Sequence, residues 1–215
     1  MNKRLIAIGD IHGCYSTFTE LLRKVEYNSS HDKLIFLGDY IDRGYESFEV
    51  VTAVKGLQRS HPDDVICIRG NHEQMALDWY DCVSNDWEFN GNTPTIYSYE
   101  SHNTTVARDV AWFELLPFYH IENDIIFCHA GLAHPCLADC SSDSLIWSRS
   151  WIFEDDRPRE RRVVFGHTPL KTKEVYLSAS GDLCIDSGCV YKGKLSALVI
   201  EPDGSEQIVS VPYIE

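Results

Sequence analysis

Basic residues are scarce in this chain of 215 residues. Lysine and arginine together number 19, against 33 aspartates and glutamates, which leaves a net charge of -14. Because nucleic acids and anionic membranes attract lysine and arginine, this balance argues against both as partners. An acidic protein that acts on phosphate groups needs a strong local centre of positive charge instead.

Long hydrophobic runs are also missing. No stretch approaches the roughly 20 apolar residues of a transmembrane helix. Only a few apolar residues separate Arg4 from Asp10, which is too short a segment for the core of a signal peptide. We therefore expect a cytoplasmic protein.

The eight cysteines contain no C-x-x-C pair. In a reducing cytoplasm we expect free thiols, several of them in apolar runs where cysteine behaves as a small hydrophobic residue. Cys136 with Cys140, and Cys184 with Cys189, have a spacing that a metal site could use. Neither pair has the nearby partners of a zinc finger, so the spacing disfavours a zinc site.

Apolar runs alternate with helical segments in the first third of the chain. We predict strands at Arg4–Ile8, Lys33–Leu37 and Asp64–Ile68, and helices at Ser16–Val25, Ser47–Arg59, Glu73–Val83 and, further on, Thr105–Leu115. The second half is rich in short strands, at Phe118–Glu122, Ile125–Cys128, Arg162–Phe165, Glu174–Leu177, Leu183–Ile185, Leu195–Ile200 and Gln207–Val211. A βαβαβ half followed by a β-rich half predicts one α/β domain over residues 1–215, with two packed mixed sheets flanked by helices.

Five of the predicted strands end in residues that bind metals or exchange protons. These ends read GDIHG, GDYID, RGNHE, HAG and GHTP, and they begin at positions 9, 38, 69, 129 and 166. Functional side chains collect at the carboxyl ends of strands in open α/β sheets. Each pattern alone fits a turn, a helix cap or a core histidine. Five of them in one α/β chain favour a shared metal site.

This ordered set resembles the calcineurin-like metallophosphoesterases, and within them the phosphoprotein phosphatases of bacterial and phage type. The resemblance spans about residues 4–200 and is carried by GDIHG (9–13), GDYIDRG (38–44), RGNHE (69–73), HAG (129–131), WSR (147–149) and FGHTP (165–169). It implies a four-layer sandwich and two divalent metal ions. The implied ligands are Asp10, His12 and His167 for the first ion, Asn71 and His129 for the second, and Asp39 as the bridge. No second histidine follows near His167, so no further ligand is assigned.

Two divalent ions suit the hydrolysis of phosphate esters. With Asp10, Asp39 and a bridging hydroxide they leave about one net positive charge, which attracts a phosphate dianion, and they generate hydroxide near neutral pH. In-line attack by that hydroxide needs no phosphoenzyme. The ligand types suit Mn, Fe or Zn, and the resemblance favours Mn. A thiol nucleophile is disfavoured, because no C-x5-R loop follows Cys14 and Cys128 should point away from the face of His129.

The other motif residues are candidates for proton transfer and phosphate binding. His72, held by Asp42, is the candidate general acid, and the resemblance supports this role. The alternative for Asp42 is an ion pair with Arg43. Arg43 and Arg149 are candidate phosphate clamps, because a guanidinium group grips two phosphate oxygens at once.

Several neighbouring features have two possible readings. Trp147 and Trp151 flank Arg149 and belong either to the rim of the site or to the core, and Tyr191 is a weaker candidate for the rim. The segment RPRERR (157–162) is either a solvated loop or a binding surface for acidic substrates, and the acids beside it favour the loop. We expect the loops Trp79–Ser101 and Leu132–Ser144 to set substrate breadth.

Three functions remain open. The favoured one is a serine/threonine protein phosphatase, with phosphotyrosine as a further substrate, a phosphorylated protein as the partner and no obligatory regulatory subunit evident. The second is a symmetrical dinucleoside tetraphosphate hydrolase, a sister family that usually lacks the equivalents of Asp42 and Glu73. Other phosphodiesters are also compatible with the fold. The third is a non-catalytic scaffold, which the complete set of motif residues disfavours.

Overall fold

The computed structural model describes residues 3–149 and 160–215. The first sheet contains β1 (Arg4–Ile8), β2 (Asp32–Phe36), β3 (Val65–Cys67), β9 (Lys194–Ile200) and β10 (Glu206–Pro212), in the order β10-β9-β1-β2-β3. β1, β2 and β3 run parallel, whereas β9 is antiparallel to both β1 and β10. The parallel strands bring their carboxyl ends to one edge of the sheet.

The second sheet contains β4 (Tyr119–Glu122), β5 (Ile125–Cys128), β6 (Arg162–Phe165), β7 (Tyr176–Leu177) and β8 (Leu183–Cys184), in the order β4-β5-β6-β8-β7. Its three central strands, β5, β6 and β8, are parallel, and β4 and β7 are antiparallel edge strands. Asn123 and Asp124 join β4 to β5, and both have positive φ angles, as the tight turn of a two-residue hairpin requires. Both sheets are therefore mixed, as expected.

Seven helices lie in the described residues. They are α1 (Tyr15–Lys24), α2 (Ser47–Ser60), α3 (Asn71–Tyr80), α4 (Asp86–Phe89), α5 (Thr93–Ser101), α6 (Ala107–Leu115) and α7 (Ser142–Trp147). Short 3-10 turns are also present, at Leu137–Asp139 before α7 and at Cys189–Tyr191 before β9. None of the helices in this part of the chain is long and apolar enough to cross a membrane.

Side chains that alternate along the strands build the layers. Leu5 and Ala7 of β1 face the second sheet and pack with Phe127 and Val164, while the intervening Ile6 packs with the helices on the outer face. A third apolar cluster joins the far face of the second sheet to α7. The layers run helix, sheet, sheet, helix, which confirms two packed mixed sheets flanked by helices.

The ten predicted strands are present, with ends that differ by no more than two residues. The segment Trp79–Ser101 is different, because it holds α4 and α5 rather than a loop. Pro94 lies in the first turn of α5, where a missing N–H costs nothing. Leu132–Ser144 likewise contains the start of α7, whose cap Ser141 accepts a hydrogen bond from Ser144 N at 3.1 Å.

Candidate functional site

The strand ends that the motifs mark meet in one place. Asp10, Asp39 and Asn71 follow the parallel strands β1, β2 and β3, and His129 and His167 follow the parallel strands β5 and β6. All five side chains belong to buried residues. The two sheets pack with these ends on the same side, beside a cavity of about 250 Å³. Three of the five, Asp39, Asn71 and His167, line this cavity, together with His12, His72, Arg43 and Arg149.

Left-handed backbone is concentrated at this edge. Positive φ angles occur at His12 (47°), Asp39 (53°), Asp42 (75°), Arg43 (70°) and His167 (69°). Such a conformation costs a residue with a side chain about 1–3 kcal/mol, and it persists where the surroundings hold it. Here the carbonyl of Asp39 accepts hydrogen bonds from the backbone N–H of His12 at 2.8 Å and of Ile11 at 3.1 Å. The strain turns the side chains of consecutive loop residues toward one cavity.

Two glycines let the loops approach the carboxylates. A Cβ atom at Gly70 would collide with Oδ1 of Asp39, and a Cβ atom at Gly166 would collide with Oδ1 of Asp10. At Gly70 the Cβ atom would also meet the backbone nitrogen of Asp39, so only glycine fits there. At Gly166 a larger residue would displace the carboxylate of Asp10. The close contact at Gly166 brings Asp10 to the backbone of His167, whose N–H donates to the two carboxylate oxygens at 2.9 and 3.1 Å.

Backbone carbonyls orient two of the histidines. Nδ1 of His12 lies 2.8 Å from the carbonyl of Ile41, and Nδ1 of His129 lies 2.8 Å from the carbonyl of Leu37. A carbonyl can only accept a hydrogen bond, so Nδ1 carries the proton in both rings. The lone pair is then on Nε2, which faces the cavity, as in histidines that bind metals.

Ligand-type atoms form two groups that share Asp39. His12, Asp39 and His72 make one, and Asp39, His129 and His167 make the other; within each group the atoms lie within 4.8 Å of one another. Oδ1 of Asn71 joins the second group, at 2.9 Å from Nε2 of His129. Asp39 thus occupies the position expected of a bridge.

The place of His167 differs from the division that the sequence suggested. Its Nδ1 lies 2.9 Å from Oδ1 of Asn71 and 3.1 Å from Nε2 of His129. The ring therefore stands with Asn71 and His129, whereas the expectation grouped it with Asp10 and His12. Within residues 3–149 and 160–215, the hydrogen bonds between His167 and Asp10 come from the backbone N–H of His167 and not from its ring. The loop that follows β6 turns the ring away from β1 and toward β5, and a motif does not reveal that turn.

The electrostatics of the site favour cations. Burial, then the charge of Asp186 and then that of Asp39, raise the pKa of Asp10 well above its usual value. Burial acts in the same direction on Asp39, but His129, His72 and His12 outweigh it and hold the pKa of Asp39 well below the usual value. Burial lowers the pKa of His129, and it lowers that of His167 to about 2. These lowered pKa values favour the neutral ring at His129 and His167, which is the form in which histidine binds a metal.

The donor set fits divalent metal ions. With its proton on Nδ1, His129 presents a lone pair at Nε2 to Oδ1 of Asn71 at 2.9 Å and to Oδ1 of Asp39 at 3.4 Å. Acceptor atoms this close repel each other. A proton on Nδ1 of His167 can serve Asn71 or His129, whereas a cation among them would serve all three acceptors. Carboxylate, imidazole and amide oxygen ligands together suit Mn, Fe or Zn.

His72 and Asp42 form a buried pair beside these groups. Nδ1 of His72 donates to Oδ2 of Asp42 at 2.6 Å. Trp87 donates to the same oxygen at 2.8 Å, and Thr95 donates to Oδ1 at 2.9 Å. Burial lowers the pKa of His72, while Asp39 and Asp42 act against that effect. The alternative ion pair of Asp42 with Arg43 is not among the contacts of the described residues.

Two arginines cover the histidines from the cavity side. Nη1 of Arg43 lies 2.6 Å from Nε2 of His12, and Nε of Arg149 lies 3.1 Å from Nε2 of His167. A guanidinium group only donates hydrogen bonds, so each contact uses the lone pair of a ring nitrogen. Both groups stand where an anion entering the cavity would meet them.

Aromatic rings border the cavity near both arginines. Tyr191 lies 5.6 Å from the guanidinium carbon of Arg43 and is 49% exposed. Trp147 is 42% exposed and packs edge-on against the ring of His167. Neither ring is therefore a core residue. Tyr191 lines the cavity, and Trp147 lies next to it against His167. Trp151 lies outside the described residues.

The remaining expectations concern thiols and the arginine-rich segment. No cysteine is among the described residues that line the cavity. Contact with Cys189 and burial raise the pKa of Cys14, which disfavours a thiolate there. Residues 157–159 lie outside the described part of the chain, whereas Arg161 pairs with Asp124 and Arg162 with Glu206. These two pairs fit the solvated-loop reading.

Four residues shape the site in ways that the sequence did not indicate. Trp87 and Thr95 hold Asp42 from α4 and α5, and Glu73 accepts hydrogen bonds from the backbone N–H groups of Asp39 and Tyr40, at 2.9 Å each, and of Gly70 at 3.0 Å. The fourth is Asp186, which lines the cavity and is buried. Of these, the Asp-Ser-Gly turn after a predicted strand is the one signal that could have drawn attention to Asp186.

Comparison with known proteins identifies the family. The sequence model described as calcineurin-like phosphoesterase matches residues 3–199. An asymmetrical bis(5'-nucleosyl)-tetraphosphatase, PrpE of Bacillus cereus, is 28% identical over 223 residues, which cover 89% of this chain and 88% of the relative. The serine/threonine-protein phosphatase PP2A-like PPG1 of Candida albicans is 32% identical over 130 residues, which cover 60% of this chain and 29% of the relative.

The fold has solved counterparts. A serine/threonine phosphatase structure from Saccharomyces cerevisiae aligns with a TM-score of 0.74 at 20% sequence identity, and the alignment covers 99% of this chain and 81% of that one. At this level of identity the likeness concerns the fold alone. It agrees with two mixed sheets that are flanked by helices.

Proposed function

The chain belongs to the calcineurin-like phosphoesterase family, and we propose that it is a metal-dependent phosphomonoesterase that removes phosphate from serine and threonine side chains of proteins, with phosphotyrosine as a further substrate. Membership of this family makes it a hydrolase, and the complete set of motif residues, which a scaffold without activity would not need, supports an active enzyme. A cytoplasmic location, where thiols stay reduced, is part of the same proposal.

The proposal includes two divalent ions, with manganese as the native metal. The two ligand groups that share Asp39 support two ions. Asp10 would complete the ion on the His12 side and Asn71 the ion on the His129 side, while His72, which stands in the first group, is kept for proton transfer. When bound, such ions polarise the phosphoryl group and lower the pKa of a water molecule enough to supply hydroxide near neutral pH. The histidine orientation that Ile41 and Leu37 fix supports binding without rearrangement of the loops.

The side chains of the chain itself bind the phosphate and deliver the proton. We assign Arg43 and Arg149 to the phosphoryl oxygens, since both guanidinium groups line the cavity. In the structure the two guanidinium groups contact Nε2 of His12 and Nε2 of His167. When a phosphate binds, they would give up these contacts and bind its oxygens instead. His72 donates a proton to the leaving oxygen, and Asp42 keeps the ring oriented for that transfer.

The buried pair of His72 and Asp42 is the observation that carries the choice of substrate. A serine or threonine alkoxide is a strongly basic leaving group and must be protonated as the P–O bond breaks. The phosphate that leaves a nucleoside polyphosphate is weakly basic and departs without a proton. His72, which the buried carboxylate of Asp42 orients through a hydrogen bond of 2.6 Å, therefore accelerates the hydrolysis of alcohol phosphate monoesters more than that of nucleoside polyphosphates.

A second candidate is the hydrolysis of dinucleoside tetraphosphates. The name of the Bacillus cereus relatives, which align over most of both chains, favours it. Their name specifies asymmetrical cleavage, whereas the alternative that the sequence suggested was symmetrical. The half-exposed rings of Tyr191 and Trp147 at the cavity rim would offer stacking surfaces to a nucleobase.

A comparison of rates with three substrates separates the two candidates. The Mn-loaded protein is given a phosphoserine peptide, a phosphotyrosine peptide and diadenosine tetraphosphate, each with a chelated control. We expect chelator-sensitive release of phosphate that is fastest from the peptides. The nucleotide products are identified as well, because two ADP molecules indicate symmetrical cleavage and ATP with AMP indicates asymmetrical cleavage.

The variant His72→Asn sharpens this test. It should slow the phosphoserine peptide far more than diadenosine tetraphosphate. If the nucleotide is the faster substrate by more than tenfold in the native protein, the protein phosphatase proposal is wrong and the second candidate replaces it. If no substrate turns over with metal bound, both are wrong.

A further inference from the structure

A sixth strand also ends at the cavity. Asp186 follows β8, which runs parallel to β6, the strand that leads to His167. Its side chain is 95% buried and lines the same cavity as His12 and Asp39. The loop after β1 lies directly against it, since a Cβ atom on Gly9 would approach the carbonyl oxygen of Ile185 to 2.8 Å. Asp10 and Asp186 are thus neighbours across two sheets.

The two carboxylate oxygens of Asp186 differ in their hydrogen bonding. One oxygen accepts a hydrogen bond from the N–H of Gly188 at 2.9 Å. Within residues 3–149 and 160–215 the other oxygen has no hydrogen-bond partner. This oxygen is not fully enclosed by protein atoms, but it belongs to a residue that is 95% buried, where a charge without a partner is costly. Because Asp186 is part of the cavity wall, the cavity is the place from which a partner can reach this oxygen.

The protein supplies too little positive charge for the carboxylates at this point. Asp10, Asp39 and Asp186 interact with one another, and Asp10 is affected more by the charge of Asp186 than by that of Asp39. Arg43 is the arginine that acts on both Asp10 and Asp186, and it is already in contact with His12. A divalent cation on the His12 side would offset the repulsion.

We propose that Asp186 binds, through a water molecule, the divalent cation that Asp10, His12 and Asp39 hold. This inference rests on the proposed function, because it needs a metal on the His12 side. Asp186, like Asp10, lies outside the two groups of converging ligand atoms. Asp10 shares the loop after β1 with His12 and is placed in direct contact with the ion, whereas Asp186 comes from β8 of the other sheet and is placed one water molecule farther away. Asp186 would then give this ion one more donor, an oxygen, in place of the second histidine that the sequence lacks near His167.

The test measures metal binding without any substrate. Mn²⁺ is titrated into metal-free protein, and free Mn²⁺ is followed by its electron paramagnetic resonance signal. In Asp186→Asn we expect one of the two ions to bind about 10–100-fold more weakly, as is typical when a partner that orients a metal shell is removed. Asp182→Asn is the matched control, since Asp182 is buried four residues away and does not line the cavity; it should bind both ions normally.

Thermal unfolding separates a metal role from a structural one. If Asp186 only holds the turn through Gly188, then Asp186→Asn lowers the melting temperature equally with Mn²⁺ and with chelator. If the proposal is right, the loss appears with Mn²⁺, while in chelator the variant melts at the native temperature or above it, because one repulsive charge is gone. Unchanged Mn²⁺ affinity in Asp186→Asn overturns the inference alone. Native protein that binds no Mn²⁺ overturns the proposed function with it.

Discussion

The variant Asp42→Asn removes one buried charge and should leave the fold intact. An asparagine whose amide oxygen replaces Oδ2 still accepts from His72 and from Trp87, which donate at 2.6 and 2.8 Å. Its amide group then faces Oγ1 of Thr95, which can turn its own proton to Ser47, 3.0 Å away. Every hydrogen bond of the network is retained. What changes is the charge beside the imidazole.

The expected loss of rate follows from that charge. A hydrogen bond to a charged group contributes about 1.5–3 kcal/mol, against about 0.5–1.5 kcal/mol between neutral groups. The difference of about 1–2 kcal/mol acts on the protonated form of His72. At about 1.4 kcal/mol for each factor of ten, kcat on a phosphoserine peptide should fall about 5–30-fold. Hydrolysis of p-nitrophenyl phosphate should change little, because its leaving group needs no proton.

The pH profile gives the sign of the effect. Burial already lowers the pKa of His72, and Asp42 opposes that shift. Without the charge of Asp42 the pKa of His72 falls further, so the acid loses its proton at a lower pH. The alkaline decline of kcat with the peptide should therefore move to lower pH in Asp42→Asn. Steady-state rates measured from acid to alkaline pH, at constant ionic strength and with excess Mn²⁺, detect this.

Trp87→Phe provides the matched control for this experiment. It removes one hydrogen bond to Asp42 and keeps the charge, so its pH profile should follow that of the native protein. Circular dichroism and metal content verify that each variant is folded and loaded. Equal losses on the peptide and on p-nitrophenyl phosphate, or an alkaline limb that does not move, would refute the proton-donor role of His72 and the pairing that supports it.

Three further variants test other parts of the site. His72→Asn should keep both metals and lower kcat by about 10²–10⁴-fold on a phosphoserine peptide; an equal loss on p-nitrophenyl phosphate contradicts the role. Asp39→Asn should weaken both metal sites in a Mn²⁺ titration, and the loss of a single ion would remove Asp39 as the bridge. Glu73→Gln replaces one acceptor oxygen by an amide among three backbone donors, so we expect about 1–3 kcal/mol lower stability in urea unfolding with chelator; an unchanged midpoint argues against it.

Local pattern accounted for the sheets because the strands are nearly continuous apolar runs between turns. Residues 5–8 of β1 and all four residues of Ile125–Cys128 are apolar and buried on both faces, as in strands that lie between two layers. Glycine beside a polar residue then marked where each strand ends. The convergence of these ends required one assumption beyond pattern, which is that parallel strands place their carboxyl ends together.

The parts that were missed depend on contacts between distant segments. Trp87 and Thr95 reach Asp42 across 45 and 53 residues, and nothing in the composition of α4 or α5 indicates it. The ring of His167 is turned by a left-handed backbone φ angle of 69°. The motif Gly-His-Thr-Pro does not predict that angle. Asp186 also resembles any turn aspartate until the fold sets it beside Asp10.

Strained backbone and buried charge at this edge have a common explanation. His12, Asp39 and His167 hold backbone angles that cost about 1–3 kcal/mol each, and Asp10 and Asp186 are carboxylates with too few cations near them. Neither feature stabilises the chain by itself. Both become favourable when divalent ions bind, because the ions gain preformed ligands and the carboxylates gain charge partners. A ligand that binds only the folded state stabilises it in proportion to the logarithm of its concentration, so stability in this fold is coupled to the metal at the same residues that we assign to its chemistry.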